Sequence, residues 1–298
     1  SPALGVNLGV RGSGDDDADA DADSDIFGNV ARDLPPVDTA AASADAAKHD
    51  AAVADAAKAA QAAWNYDARD RRRGPWAWAG VDADFARCGR GADGTQSPID
   101  ISEVRDAARH LPPVRTEWIT AQDTSLINGG NGAMTVALFQ GKGQKKNLIS
   151  WRGRDYEVKD VRFHSPSEHS VRGTKFPLEA QIGTLGENGR RLFLSVMFTE
   201  GEKSAVLGKF WGKFPTTRDV VSVGKGSLNV KDIVPDKGQY YLYRGSDSRP
   251  PCDPATWIVF KDPLEVSEEQ VRDFVLRAGE PTSRPIQPSG DRTVRISA

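Results

Sequence analysis

Short runs of β-branched and aromatic residues alternate with turns rich in Gly, Asn and Asp over most of the chain after about residue 74. Such runs are typical of β-strands, and they are clearest at Met134–Phe139, Asn147–Trp151, Leu192–Phe198, Gln239–Tyr243 and Trp257–Phe260. Helical patterns are few, and the best is Ser267–Leu276, with Ser267 as its N-cap. We therefore predict a mainly β (α+β) fold with one large, twisted, mostly antiparallel central sheet and peripheral helices.

Residues 1–73 have a different pattern and are predicted to form an N-terminal extension to a domain over residues 74–298. The first half of this extension is rich in Gly, Asp and Ala, a composition that buries too little apolar surface to order by itself. From Asp38 to about Trp64 the pattern predicts an Ala-rich helix whose large apolar residues are Val53 and Trp64. We predict that the extension docks on a protein partner through Val53 and Trp64; a solvated spacer helix is the alternative.

The chain has 298 residues, of which 38% are hydrophobic and 27% charged, as in an ordinary globular protein. Its formal net charge of -3 is too balanced for a general nucleic-acid binder, so we expect no nucleic-acid partner. The extension carries 14 acidic against 8 basic side chains, and the remainder carries 28 against 31. No run approaches the roughly 18 consecutive apolar residues of a membrane span, so we expect no direct membrane insertion.

A set of short motifs occurs in order along the predicted domain. The set comprises Trp76-Ala77-Trp78, Cys88-Gly89, Gln96-Ser97-Pro98-Ile99-Asp100-Ile101, Phe163-His164-Ser165-Pro166-Ser167-Glu168-His169, Phe176-Pro177-Leu178-Glu179, Tyr240-Tyr241, Gly245-Ser246, Pro250-Pro251-Cys252, Trp257 and Arg284-Pro285-Ile286-Gln287-Pro288. Together these motifs resemble the α-class carbonic anhydrases, and the Ser-Pro-Ser-Glu-His form is similar to the bacterial, algal and plant members. The resemblance implies the fold of that family.

In that family a catalytic zinc ion is held by three histidines, and the resemblance places their positions at Arg162, His164 and Gln181. Two of the three histidines are therefore replaced. Arginine is permanently cationic and has no lone pair to donate, and a glutamine carbonyl is a poor ligand for Zn²⁺. We accordingly expect no metal or other cofactor, and a loss of carbon dioxide hydration. The family's proton-shuttle histidine falls near Gly132, where this sequence has no histidine.

Alternation along the predicted strands places Asp160, Arg162 and His164 on one face, and Glu179 and Gln181 on the corresponding face of the next strand. We predict that the Arg162 guanidinium replaces the charge of the metal and bonds Asp160, Glu179 or both. The reason is that buried carboxylates left without a cation are costly. An Arg162 that extends to solvent is the alternative.

Further residues join this predicted site. His169 is assigned to the same charge-compensating set, and Glu168 and Ser248 are remnants of the family's catalytic hydroxyl pair, expected to contact each other. Arg249 follows Ser248 directly, and Arg162 and Arg249 together form a candidate site for a weakly bound anion such as bicarbonate.

Cys88 and Cys252 occupy the positions that form a disulfide in many exported members of the family. A disulfide implies an oxidising compartment, and the alternative is two free buried thiols. The thylakoid lumen is the favoured compartment, with the periplasm and secretion as alternatives.

These features favour a catalytically inactive carbonic-anhydrase-like protein that serves as a structural or assembly subunit of a larger protein complex. A photosynthetic membrane complex, approached from its lumenal side, is one concrete hypothesis. Two alternatives stay open at this point. The first is a carbonic anhydrase, or another lyase or hydrolase, with an atypical metal site around His164, Glu168 and Ser248; the second is a bicarbonate- or anion-binding module.

Overall fold

The computed structural model describes residues 63–89, 94–102, 104, 106–108, 111–119, 123–139, 145–235 and 238–297. The predicted Ala-rich helix up to residue 62 and the predicted contact residue Val53 lie outside these ranges.

The described strands are β1 (Asp100–Ile101), β2 (Asp106–Ala108), β3 (Arg115–Glu117), β4 (Asp123–Asn128), β5 (Met134–Phe139), β6 (Leu148–Trp151), β7 (Arg154–His164), β8 (Ser170–Val171), β9 (Thr174–Lys175), β10 (Leu178–Gly186), β11 (Arg191–Glu200), β12 (Asp219–Lys225), β13 (Tyr240–Ser246), β14 (Pro254–Phe260), β15 (Leu264–Val266) and β16 (Arg295–Ser297). The described α-helices are α1 (Trp78–Val81), α2 (Ala205–Gly208) and α3 (Glu268–Ala278), and short 3₁₀ turns span Ala83–Cys88, Glu187–Gly189, Trp211–Lys213 and Val230–Ile233.

Most of these strands form one large sheet in the order β12-β4-β5-β7-β10-β11-β14-β13-β16-β2, with β3, β6 and β15 joined beside this path. Its pairs are mostly antiparallel, whereas β11 runs parallel to both β14 and β15, and β16 runs parallel to β2. A small second sheet has the order β1-β8-β9. The predicted large, twisted, mostly antiparallel sheet with peripheral helices is thus confirmed.

Helix α3 begins where the sequence predicted and continues two residues further. The Ser267 side chain accepts a hydrogen bond from the Gln270 backbone N–H, and the Gln270 side chain accepts one from the Ser267 backbone N–H. Phe274 is buried against the sheet, and Gly279 ends the helix in the left-handed conformation at φ 66°. Among the described helices, none is both long and apolar enough to cross a membrane.

The central strands separate a large apolar core from the face that carries the predicted site. On β10, Leu178, Ala180 and Ile182 belong to the large core, whereas Glu179 and Gln181 point to the opposite face. The same alternation runs along β7 and β11. Because successive side chains of a strand point to opposite faces, the polar residues of these strands all lie on the face away from the large core.

The segment just before residue 74 packs against the domain. The Trp64 ring lies 5.2 Å from the rings of both Tyr66 and Trp78, edge to face. The backbone N–H of Asn65 donates to the carbonyl of Arg73 at 2.9 Å, and the Trp78 indole donates to the Asn65 carbonyl at 3.0 Å. The packed region therefore includes Trp64, which lies before the predicted boundary at residue 74. Trp64, predicted to contact a partner, contacts its own domain because aromatic surface is available there.

Candidate functional site

The register of β7 and β10 brings the predicted site residues together. Arg162 lies directly opposite Gln181, and His164 lies directly opposite Glu179. Because alternate residues share a face, Asp160 joins them on the same side of the sheet. All but Asp160 are buried, and the Asp160 side chain is 21% exposed.

Arg162 forms two ion pairs inside this cluster. Its Nε donates to Asp160 Oδ1 at 3.1 Å, and its Nη1 donates to Asp247 Oδ1 at 2.6 Å. Burial by itself lowers the pKa of Arg162, but the Asp160 and Asp247 charges outweigh it, so the pKa of the guanidinium is raised. The guanidinium also lies 4.9 Å above the Phe193 ring. Arg162 therefore stays charged within the protein and does not extend to solvent.

Of the two carboxylates predicted for Arg162, Asp160 is bonded and Glu179 is not. Glu179 instead accepts hydrogen bonds from His169 Nδ1 at 2.8 Å, from Gln181 Nε2 at 2.9 Å and from Ser195 Oγ at 2.8 Å. The backbone N–H groups of Glu168 and His169 donate to its other oxygen. Burial raises the pKa of Glu179, and the His169 charge and hydrogen bonds more than offset this, so the pKa is lowered. With its acceptor positions filled, Glu179 does not need the Arg162 cation.

Arg249 points into the site rather than away from it. Its Nη1 donates to Thr135 Oγ1 at 3.0 Å, its Nη2 lies 3.4 Å from Asp160 Oδ2, and its backbone N–H donates to Asp247 Oδ1 at 3.0 Å. Burial, and then the neighbouring Arg162 charge, lower the pKa of Arg249. Two guanidiniums thus face two carboxylates, and the charge that an incoming anion would need is already compensated.

Gly183 makes room for this arrangement. It pairs with Asp160 across the strands, and a Cβ atom at residue 183 would stand 2.3 Å from Asp160 Oδ1. Any larger residue would push the carboxylate away from Arg162. The absence of a side chain at this position is therefore part of the ion-pair network.

Gln181 is held between Glu168 and Ser248, the two residues predicted to contact each other. Its Nε2 donates to Glu168 Oε2 at 2.8 Å, and its Oε1 accepts a hydrogen bond from Ser248 Oγ at 3.3 Å. The structure therefore gives Ser248 a different partner from the predicted one, because the glutamine carboxamide lies between the two groups. The other oxygen of Glu168 accepts from the Arg284 backbone at 2.8 Å.

His164 is fixed by the loop that follows α3. Its Nδ1 lies 2.5 Å from the Thr282 carbonyl, which can only accept, so Nδ1 carries a proton. In the neutral ring Nε2 then bears a lone pair. That Nε2 is buried and has no hydrogen-bond partner among the described residues. In the neutral ring, Nε2 is therefore the atom that could coordinate a metal ion or accept a hydrogen bond.

Tyr66 is a site residue that sequence reasoning missed. Its ring lies 6.0 Å from the His164 ring, edge to face, and its buried hydroxyl finds no partner in the described part of the chain. Burial raises the pKa of Tyr66, and the Glu168 charge raises it further, whereas Arg249 and Arg162 lower it. The hydroxyl therefore lies among the charged groups of the site. The sequence did offer one indication that this residue is buried: Tyr66 and Trp64 are two aromatic residues close together in an otherwise polar stretch.

The position expected to hold a proton-shuttle histidine is closed by packing. Gly132 has a φ of 87°, and a Cβ atom there would stand 1.9 Å from the Pro281 carbonyl oxygen and 3.0 Å from the Tyr66 ring. No side chain fits without moving the loop that holds His164.

A disulfide joins Cys88 and Cys252 across a sequence separation of 164 residues, as the resemblance implied. Both cysteines are buried in a cluster with Tyr66 and Trp78. The bond indicates folding in an oxidising compartment.

Comparison with known proteins agrees with this geometry. The family model for eukaryotic-type carbonic anhydrase matches residues 73–298. The chain belongs to the carbonic anhydrase family.

Several relatives match most of this carbonic anhydrase-like chain. A carbonic anhydrase of Neisseria gonorrhoeae is 28% identical over 78% of this chain and 86% of its own length. Dioscorin dioA3 of Dioscorea japonica is 30% identical over 74% of this chain and 81% of its own length. The α-carbonic anhydrase of Thermovibrio ammonificans, solved with the inhibitor sulfanilamide, has a TM-score of 0.70 and 30% identity, covering 79% of this chain and all of its own.

The catalytic zinc of this family does not fit the residues present here. Arg162 offers a cation with no lone pair, and the amide of Gln181 is committed to Glu168, Glu179 and Ser248. Over the described ranges, no group of three or more His, Cys, Asp or Glu side chains is placed to hold a metal ion. One imidazole, that of His164, is left where catalytic zinc needs three protein ligands.

Proposed function

We propose that this protein is a non-catalytic member of the carbonic anhydrase family whose former metal site is held together by ion pairs. The observation that carries the proposal is the pair of bonds from Arg162 to Asp160 and Asp247. A guanidinium anchored in this way puts a fixed positive charge at the first ligand position, and that charge repels a divalent cation.

Two further contacts support the loss of catalysis. The Gln181 carboxamide separates Ser248 from Glu168, so the hydroxyl is oriented toward an amide oxygen instead of the carboxylate. The packing of Pro281 and Tyr66 against Gly132 leaves no room for a side chain that would carry protons. Each contact removes one element that hydration chemistry would require.

The test uses the purified full-length protein with its disulfide intact. We expect less than 0.1 equivalents of zinc, to order of magnitude, after equilibration with the ion, and no acceleration of carbon dioxide hydration above buffer. Calorimetric titration with sulfanilamide should give no saturable heat, whereas the Thermovibrio ammonificans relative serves as the positive control. Stoichiometric zinc together with fast hydration would contradict the proposal.

We further propose that the protein acts as an assembly subunit in an oxidising compartment, with the thylakoid lumen and a photosynthetic membrane complex as the specific case. The disulfide supports the compartment, and the acidic extension before Trp64, with its Ala-rich helical pattern, supports docking. A partner would then be bound by residues that precede the packed domain.

The docking test keeps the full chain and changes one position of the predicted helix. Val53→Asp should shift the protein from a larger complex to the monomer in native size fractionation of its source membranes. Ala51→Asp, on the opposite side of the predicted helix, is the matched control and should leave the complex intact. Monomeric wild-type protein in every fraction would refute the subunit role.

A further inference from the structure

Three buried side-chain polar atoms have no hydrogen-bond partner among the described residues, and one of them is Arg284 Nε. The other two, His164 Nε2 and the Tyr66 hydroxyl, belong to adjoining rings of the site. Their rings lie 6.0 Å apart, edge to face, and the side chains are 2% and 1% exposed. Buried polar groups in folded proteins are nearly always bonded to protein or to ordered water, so one water molecule, or a small ligand in its place, would satisfy this pair.

The chemistry of the two atoms is complementary. The Thr282 carbonyl fixes the proton of His164 on Nδ1, so Nε2 accepts a hydrogen bond and cannot donate one in the neutral ring. The Tyr66 hydroxyl has a proton to donate and is kept in its protonated form by burial and by the Glu168 charge. A molecule that satisfies both groups must donate to the imidazole and accept from the phenol.

The charges around the pair restrict the ligand further. Arg162 and Arg249 are already paired with Asp160 and Asp247, and Glu179 is paired with His169. Glu168 is also buried, and neutral groups donate to its oxygens, so an added anion would meet a negative charge that the described ion pairs do not offset. A cation that can only donate hydrogen bonds could not accept the proton of the Tyr66 hydroxyl. A neutral ligand with one donor and one acceptor avoids both difficulties.

We propose that Tyr66 and His164 form a binding site for one small neutral molecule that carries adjacent hydrogen-bond donor and acceptor groups, such as a primary amide. The N–H of the amide donates to His164 Nε2, and its carbonyl accepts from the Tyr66 hydroxyl. The site replaces metal coordination by hydrogen bonding at the same imidazole. It makes no use of Ser248 or Gln181, whose hydrogen bonds are formed with each other.

The experiment compares three planar probes of nearly equal size: formamide, formate and formamidinium. The protein is labelled with ¹⁵N at histidine, and the His164 signal is identified among the four histidines with a His164→Gln variant. We expect formamide to shift the Nε2 resonance saturably at millimolar concentration, and the anion and the cation to leave it unchanged. The three probes are compared on the wild-type protein, and the His164→Gln variant serves only to identify the signal.

Tyr66→Phe is the matched variant because it removes the donor and keeps the ring. It should weaken formamide binding by about fivefold, the value of one ordinary hydrogen bond. Formate binding more tightly than formamide would replace the proposal with an anion site. A formamide affinity unchanged in a folded Tyr66→Phe protein, or no response of Nε2 to formamide, would overturn it.

Discussion

Replacing Arg162 by alanine tests whether an ion pair has taken over the structural role of the metal. The variant removes one cation that is 7% exposed and leaves Asp247, at 6% exposure, without its hydrogen bond of 2.6 Å. Asp160 also loses a bond, but its side chain is 21% exposed and can be hydrated. We therefore expect the Asp247 carboxylate to dominate the loss of stability.

The expected magnitude follows from these contacts. Removing one partner of a buried ion pair costs about 3–5 kcal/mol, because the other charge is left uncompensated. Arg249 still donates its backbone N–H to Asp247, which places the value near the lower limit. The lost contact of the guanidinium with the Phe193 ring adds about 0.5–1 kcal/mol. Together these contacts predict a loss of about 3–4 kcal/mol for Arg162→Ala.

Urea unfolding without reductant measures this loss while the disulfide stays intact. The unfolding midpoint should fall by about 1 M or more. Arg272→Ala, at an exposed position of α3, is the matched control and should change the free energy of unfolding by less than about 0.5 kcal/mol. The double variant Arg162→Met, Asp247→Leu removes both charges and should recover most of the lost stability. A loss below about 1 kcal/mol for Arg162→Ala would refute the ion-pair replacement.

Further predictions concern pH, the disulfide and the missing ligands. Burial raises the pKa of Asp247, but the Arg162 charge lowers it overall, so its stabilisation is present above the ordinary pKa of about 4 and is lost as the pH falls through the folded value. Asp247→Asn should therefore flatten the decline in unfolding free energy measured between about pH 5 and 2; an unchanged slope would contradict this. Replacing Cys88 and Cys252 by serine should cost about 2–5 kcal/mol in the same assay, and a loss below that range would show that the bond contributes little. Arg162 and Gln181 lie on directly paired positions, so the double variant Arg162→His, Gln181→His should bind zinc. In competition with a chelator, the variant should retain zinc and the wild-type protein should not; equal zinc content in the two would argue against the ligand assignment.

Local patterns in the sequence were sufficient to predict the large sheet and the face of the sheet on which the site residues lie. The strand predicted at Met134–Phe139 has those bounds in the structure, and Ser267 caps the predicted helix. The alternation of Asp160, Arg162 and His164 determined which side chains meet, because strand period is a property of neighbouring residues.

Partner choice inside the site required the tertiary structure. The sequence predicted Asp160, Glu179 or both as partners of Arg162, and Asp160 is one partner. The carboxylate that pairs with Arg162 at 2.6 Å was not predicted: it is Asp247, 85 residues away on the loop after β13. Strand alternation cannot reveal that Glu179 is already saturated by His169 and by backbone donors. Ion pairing in a buried site depends on which donors remain after all other groups are satisfied.

The sequence by itself determined the family and the two cysteines of the disulfide, and it predicted which positions correspond to the family's zinc ligands. The tertiary structure decided that Arg249 turns inward, that Tyr66 enters the site and that Pro281 closes the position at Gly132. These contacts join segments far apart in the chain, and their free energy comes from burial and charge compensation that exist only once the sheet and its loops have assembled.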